Sequence, residues 1–290
     1  MARSKREIAQ NVPFVFITLV TRRILRLDKL ITLVSEHKCG AIIRRCIAHT
    51  PMARPSVDLV YYLLLNAVIV WPRGHSLWLV KLPRGPRWLT PNRSDAIDHI
   101  NAIWRKNIYG SLTSGKIAID AGAHIGIYTV KASKDVGEKG LVVAIEPHPE
   151  NFKCLVRNLE LNKCENVIPI NAALFSQSGE GTLFVDEQSV GHSIVIKRSD
   201  KAIKVCMITL DEIKSNLGIS HIDYIKVDVE GATIAALQGA ENVISTYKPK
   251  IIVEIAHYPN EASETENLLS HYGYTTYVDS EIMYAEIKGE

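Results

Sequence analysis

The chain has 290 residues, 47% of them apolar and 22% charged, with a formal charge of +3. That length and apolar content suffice for a full core in one large domain or two, and they exclude a disordered chain. The near balance of charge hides a basic excess in the first fifty residues, where ten Arg and Lys face only Glu7, Asp28 and Glu36, while the remainder is slightly acidic.

Residues 1–23 join a basic head to an apolar stretch, but Arg22 and Arg23 follow without a small-residue cleavage site, so no cleaved leader is expected. Between residues 12 and 48, Ile17, Val20, Ile24, Leu27, Ile31 and Val34 recur at near-helical spacing among arginines, which predicts amphipathic helices. Their basic face suits peripheral contact with an anionic membrane through residues 1–50, or plain solvation. The longest apolar run, Val57 to Trp71, contains Asp58 and Asn66 and falls short of the roughly eighteen residues that a membrane span needs. Asp58 to Asn66 read as a helix, Ala67 to Trp71 as a strand, and Ser76 to Leu82 as its partner across the turn PRGH. Leu82 to Ser94 read as a loop, with Ser94 as the N-cap of a helix running to Gly110. Residues 1–110 are therefore expected to form an accessory region ahead of a main domain at 111–290. The five cysteines, Cys39, Cys46, Cys154, Cys164 and Cys206, are odd in number and form no C-x-x-C pair. They indicate neither a disulfide framework nor a zinc site, and a reducing cytoplasm is the expected location.

From Gly115 onward, apolar β-branched runs alternate with helical stretches: Lys116–Asp120, Leu141–Glu146, Val167–Ala172, Ile222–Asp228 and Lys250–Ile255, with helices over Asn151–Leu161 and Thr233–Ser245. This alternation predicts a mostly parallel sheet covered by helices on both faces. Short strands over Gly181–Val185, Ser193–Ile196 and Ala202–Met207 form an insertion. The last stretch, YTTYVDSEIMYAEIK, predicts an antiparallel hairpin turning at Asp279-Ser280.

The first strand of this series ends in IDAGAHIG. In such a sheet a ligand sits beyond the carboxyl ends of the strands, where a glycine-rich turn brings backbone and a helix N-terminus against it. Gly122 frees that approach, and Gly126 lets the next helix pack closely. Twenty residues after Gly126 the second strand ends at Glu146, where an acid accepts hydrogen bonds from both hydroxyls of a ribose. A nicotinamide cofactor calls for G-x-G-x-x-G around its diphosphate, a pattern not present here. Asp120 would repel a diphosphate, but it suits the ammonium group of S-adenosylmethionine.

The order of IDAGAHIGIYTVKAS, VVAIEPHPENFKCLVRNLELNKCENVIPINAAL, ITLDEI, IDYIKVDVEGATIAALQGAENVI and PKIIVEIAH resembles the FkbM family of S-adenosylmethionine-dependent methyltransferases over residues 112–258. The resemblance implies a class I methyltransferase fold. This is a Rossmann-like α/β architecture with a mostly parallel sheet and a C-terminal antiparallel hairpin, here preceded by a helical N-terminal region. His124 stands where the family usually has Asn. Asp120, Gly122, Ala123, His124, Gly126, Glu146, Asn171 and Ala172 are the expected cofactor residues, Asn171 through the adenine edge.

Methyl transfer is an in-line displacement that needs an aligned acceptor and, for a hydroxyl, help in losing its proton. Asp228 and Glu230 at the end of the fourth strand and His257 after the fifth are the catalytic candidates, with His192 and Ser193 as candidate acceptor wall and Lys226 as a structural strand residue. No metal is assigned, though Asp228 is a group that could hold a divalent ion. The resulting expectation is O-methylation of a sugar, glycolipid or secondary metabolite, a small-molecule or glycan acceptor. An RNA methyltransferase using the basic N-terminal region is a second reading, disfavoured because no aromatic-interleaved basic patch lies in the catalytic part. A non-catalytic membrane-associated protein with a nucleotide fold is a third.

Overall fold

The computed structural model describes residues 69–72, 77–82, 85–186, 191–197 and 199–287. The helices expected over residues 12–48 and 58–66 lie outside the described residues, which belong to one compact unit, Val68–Glu290.

The hairpin expected near residue 70 is present as β1 (Ile69–Pro72) and β2 (Trp78–Lys81). The loop expected after it is not: Arg87–Thr90 forms β3, antiparallel to β2. Its other edge is bonded by two asparagine side chains of α3 (Pro149–Asn162). Asn158 accepts from the Leu89 N–H at 2.6 Å and donates to the Leu89 carbonyl at 2.9 Å, and Asn162 does the same for Arg87 at 3.0 and 2.7 Å. One helical turn between the amides matches two residues along the strand, so the helix stands in for a fourth strand. The fully buried Trp88 anchors β3 from its inner face.

Helix α1 (Arg93–Ile100) begins at Asn92, not at the expected Ser94. The Asn92 side chain accepts from the N–H groups of Ser94 and Asp95, as an N-cap does. A π-helical turn over Asn101–Lys106 follows and ends at Asn107, which has left-handed φ.

The main sheet contains β4 (Ile117–Ala121), β5 (Leu141–Ile145), β6 (Val167–Ile170), β10 (Tyr224–Val227), β11 (Lys250–Glu254), β12 (Tyr274–Asp279) and β13 (Ile282–Ile287), in the order β12-β13-β11-β10-β4-β5-β6. Strands β11, β10, β4, β5 and β6 are parallel and the C-terminal hairpin is antiparallel, as the alternation and the Asp279-Ser280 turn predict. The strands bury β-branched residues on both faces beneath α2 (Ile127–Val136), α3, α4 (Leu210–Asn216), α5 (Thr233–Gln238), α6 (Glu241–Tyr247) and α7 (Glu261–His271). The single helix expected over Thr233–Ser245 is broken at Gly239, whose would-be Cβ lies 2.0 Å from the Phe175 carbonyl oxygen.

The insertion is a three-stranded sheet of β7 (Ala173–Leu174), β8 (Gly179–Phe184) and β9 (Ala202–Ile208), in the order β7-β9-β8. The expected strand at Ser193–Ile196 is reduced to one bridge between Ser193 and Phe184.

Candidate active site

Strand order brings β4, β5 and β10 together at their carboxyl ends, and an open pocket of about 900 Å³ lies there. Gly122, Ala123, His124, Glu146, Asp228 and Glu230 all line it. Gly122 has φ +78°, and a Cβ on it would sit 1.7 Å from the Asp228 carbonyl oxygen, so only glycine fits. The Gly122 and Ala123 N–H groups both donate to the Ile145 carbonyl at 3.0 Å, which locks the turn onto β5. Gly126 does not line the pocket. It caps α2 at φ +85°, and a Cβ there would meet Leu155 of α3 at 2.6 Å, the close helix packing expected of it.

Glu146 is buried and accepts from the His124 N–H at 2.8 Å and the His148 N–H at 2.9 Å, one at each carboxylate oxygen. Burial pushes its pKa up to about 7 against these N–H bonds. His124 adopts left-handed φ +51°, and its Nε2 is buried without a hydrogen-bond partner. Burial and then His99, 5.6 Å away ring to ring, pull its pKa down to about 3 and keep the ring neutral. Asn171 and Ala172 are not among the lining residues. The Asn171 amide is spent on the Glu146 and Pro147 carbonyls at 2.8 and 3.1 Å, and Ala173 and Leu174 line the pocket instead.

Asp120 also departs from expectation. It is fully buried, accepts from Thr129 Oγ1 at 2.6 Å and pairs with Lys226 Nζ at 3.2 Å, so its charge is taken up inside the fold. Lys226, read from the sequence as structural, is 3% exposed, yet it lines the pocket and pairs with Asp228 at 3.2 Å as well. It donates to the Gly122 carbonyl at 2.9 Å and lies 5.4 Å from the Tyr109 ring centroid. Burial disfavours its charge, but Asp120 and Asp228 outweigh that and raise its pKa. Asp228 is pushed up by burial and held below the usual carboxylate range by Lys226.

His257 lies behind this wall rather than on it. Its Nδ1 is 3.1 and 3.2 Å from the two oxygens of fully buried Glu261, and its Nε2 is 3.8 Å from Glu230. Burial lowers its pKa, but Glu261 more than offsets this, so the value is raised. Glu254, the last residue of β11, accepts from Tyr109 Oη at 3.0 Å, and burial followed by repulsion from Asp228 lifts its pKa to about 7. Tyr109 and His99 are pocket residues that sequence reasoning missed, because they precede the strand-helix alternation that marks the site. On the insertion side Leu183, His192 and Ile194 line it, and the His192 ring lies 4.2 Å from that of His148, tilted by 38°. Ser193 does not line the pocket; its hydroxyl donates to the Glu230 carbonyl at 2.6 Å.

The pocket thus offers a glycine turn, a buried acid beside it, and two carboxylates, Asp228 and Glu230, at the end of β10, with His257 behind them. The sequence model of the family described as "Methyltransferase FkbM domain" matches residues 120–276. The chain is similar to Methyltransferase 1 of Beauveria bassiana, at 22% identity over 182 residues covering 56% of this chain and 73% of that protein. It is similar also to the hexuronic acid methyltransferase AglP of Haloferax volcanii, at 27% identity over 157 residues covering 54% of this chain and 62% of that protein. Among solved structures, the methyltransferase FkbM from Methylobacillus flagellatus KT superimposes with a TM-score of 0.46 at 19% identity, over 61% of this chain and 45% of that one.

Proposed function

The chain belongs to the FkbM methyltransferase family, and from that premise we propose that it transfers a methyl group from S-adenosylmethionine to a hydroxyl of a sugar, glycolipid or secondary metabolite. The observation that carries the cofactor is Glu146, a buried carboxylate at the pocket wall that accepts from the His124 and His148 N–H groups and from the Asn151 side chain and keeps lone-pair capacity for a ribose hydroxyl. The unpaired His124 Nε2 beside it fits a further polar group of the cofactor. Gly122, Ala123 and His124 would hold the cofactor against the turn. When bound, it supplies a methyl group activated on a sulfonium.

The chain's own residues then position the acceptor. Asp228 and Glu230 line the same pocket at the end of β10, next to the glycine turn, where they can align a hydroxyl and take its proton. His257, 3.8 Å from Glu230, supports that carboxylate from behind. A sugar hydroxyl is favoured by this density of carboxylates, and the AglP relative is named for a hexuronic acid.

Calorimetry with S-adenosylmethionine, followed by transfer of labelled methyl to a panel of hexuronic acids, neutral sugars and glycolipids, tests the reading. Binding that weakens about tenfold or more in Glu146→Ala, with label appearing on an oxygen of one acceptor, supports it. Absence of cofactor binding sinks it, and label on nitrogen or carbon replaces the acceptor class.

A further inference from the structure

We propose that the chain holds one divalent first-row metal ion between Asp228, Glu254 and His257. One ligand atom from each lies within 4.8 Å of the others. The sheet register brings the carboxylates together: Val227 of β10 is paired with Val253 of β11, so Asp228 and Glu254 leave two parallel strands side by side. His257 follows three residues after Glu254, on the chain that leaves the same strand.

Each ligand has one polar atom already tied down and another available. Lys226 pairs with Asp228 through Oδ2, leaving Oδ1. Tyr109 donates to Glu254 Oε2, leaving Oε1. Glu261 engages His257 at Nδ1, leaving Nε2 as the ring atom for a metal, turned to the side where Glu230 stands. Glu261 is itself pinned, accepting from the His257 N–H and from Thr233 Oγ1, both at 2.9 Å. A buried carboxylate that fixes the far nitrogen of a histidine is the outer-shell support that metal-binding imidazoles use. Ligands about 2.1 Å from a shared ion stand about 3–4 Å apart, so the observed spread closes with small side-chain rotations.

Two carboxylates with one imidazole suit manganese, iron, cobalt or zinc better than magnesium or calcium, which prefer oxygen alone. What the ion does rests on the proposed methyl transfer. An acceptor hydroxyl bound to it loses its proton more readily, the O–H bond breaking as the proton passes to Glu230. Whether the ion binds does not depend on that reading.

The test uses the full chain stripped with EDTA and titrated with Mn²⁺ alone, read by electron paramagnetic resonance and calorimetry, with S-adenosylmethionine titrated into the same samples. One Mn²⁺ per chain is expected, with affinity reduced about tenfold to hundredfold in Glu261→Gln and at least as much in Glu254→Gln and Asp228→Asn. Circular dichroism checks that each variant is folded, and Glu254→Gln, at the half-buried strand end, is the deciding variant if Glu261→Gln unfolds. No stoichiometric Mn²⁺ in the wild type, or unchanged affinity in Glu254→Gln, overturns the site. Cofactor binding without metal binding leaves the methyl-transfer reading standing and removes this inference; metal binding without cofactor binding does the reverse.

Discussion

Glu146 and Lys226 are two buried charges in opposite situations. The Glu146 pKa is raised from 4.5 to about 7 by burial, so between those values the folded protein keeps a proton that the unfolded chain has released. Stability of the ligand-free protein should therefore fall as pH rises through this window, and the fall should shrink in Glu146→Gln to the part that Glu254, also raised to about 7, contributes. Ribose hydroxyls donate best to the ionised carboxylate, so affinity for S-adenosylmethionine should rise about tenfold from about pH 6 to about pH 8, a slope that calorimetry would find missing in Glu146→Gln. Lys226 is instead paired with both Asp120 and Asp228. Lys226→Met leaves two acids near each other without their cation and should cost about 3–5 kcal/mol in urea unfolding. Adding Asp120→Asn should restore part of that loss; no restoration would mean that the ammonium stabilises the fold through its carbonyl contacts alone.

At the level of elements, the turn from β4 into α2 governs the site. Gly122→Ala places a methyl group against the Asp228 carbonyl and forces a left-handed alanine, which alone costs about 1–2 kcal/mol. Relief of the clash must push the end of β10 outward, so cofactor affinity should drop about tenfold or more even where circular dichroism still shows the native fold. Equal affinity in this variant would detach the turn from cofactor binding. The parallel strands were legible in the sequence because each is an apolar β-branched run closed by a turn or an acid. Strand β3 was hidden, since Pro86 and Pro91 flank it and the amides of Asn158 and Asn162, remote in the chain, bond its outer edge. Glu146 and Asp228 could be placed because strand ends can be read locally. Asp120 and Lys226 could not, because their pairing depends on the register of β4 against β10, which sets Asp120 opposite Lys226 on one face of the sheet.

For the whole molecule, the question is where the independent folding unit begins. The sequence places the main domain from residue 111, whereas Tyr109, His99 and Ile103 wall the pocket from before that point and Trp88 is buried against the Gly126 carbonyl. We expect a fragment from Val68 to unfold in one cooperative transition and to bind S-adenosylmethionine, and a fragment from Ser111 to melt earlier and bind at least tenfold more weakly, as calorimetry on the pair would show. The Val68 fragment also tests the membrane role proposed for residues 1–50. Full-length protein should float with anionic liposomes and the fragment should stay behind, whereas equal flotation would move the contact elsewhere. Among the described residues no helix is long and apolar enough to cross a membrane.

The small sheet of the insertion is tied to the catalytic end through the hydroxyl of Ser193, which holds the Glu230 carbonyl while accepting from the N–H groups of Val195 and Ile196 at 3.2 and 2.9 Å. Glu230 has left-handed φ +51°, a conformation that needs such holding. Leu183 of β8, and His192 and Ile194 on either side of Ser193, face the pocket without bonding the Glu230 carbonyl. If the proposed methyl transfer holds, two kinds of heritable change separate. Substitutions at those three positions are expected to shift which acceptor in the panel is labelled, whereas Ser193→Ala is expected to lower turnover for every acceptor alike. A lineage of such enzymes can diversify its products by drifting along one wall of the pocket, with a single hydroxyl keeping the opposite end in register.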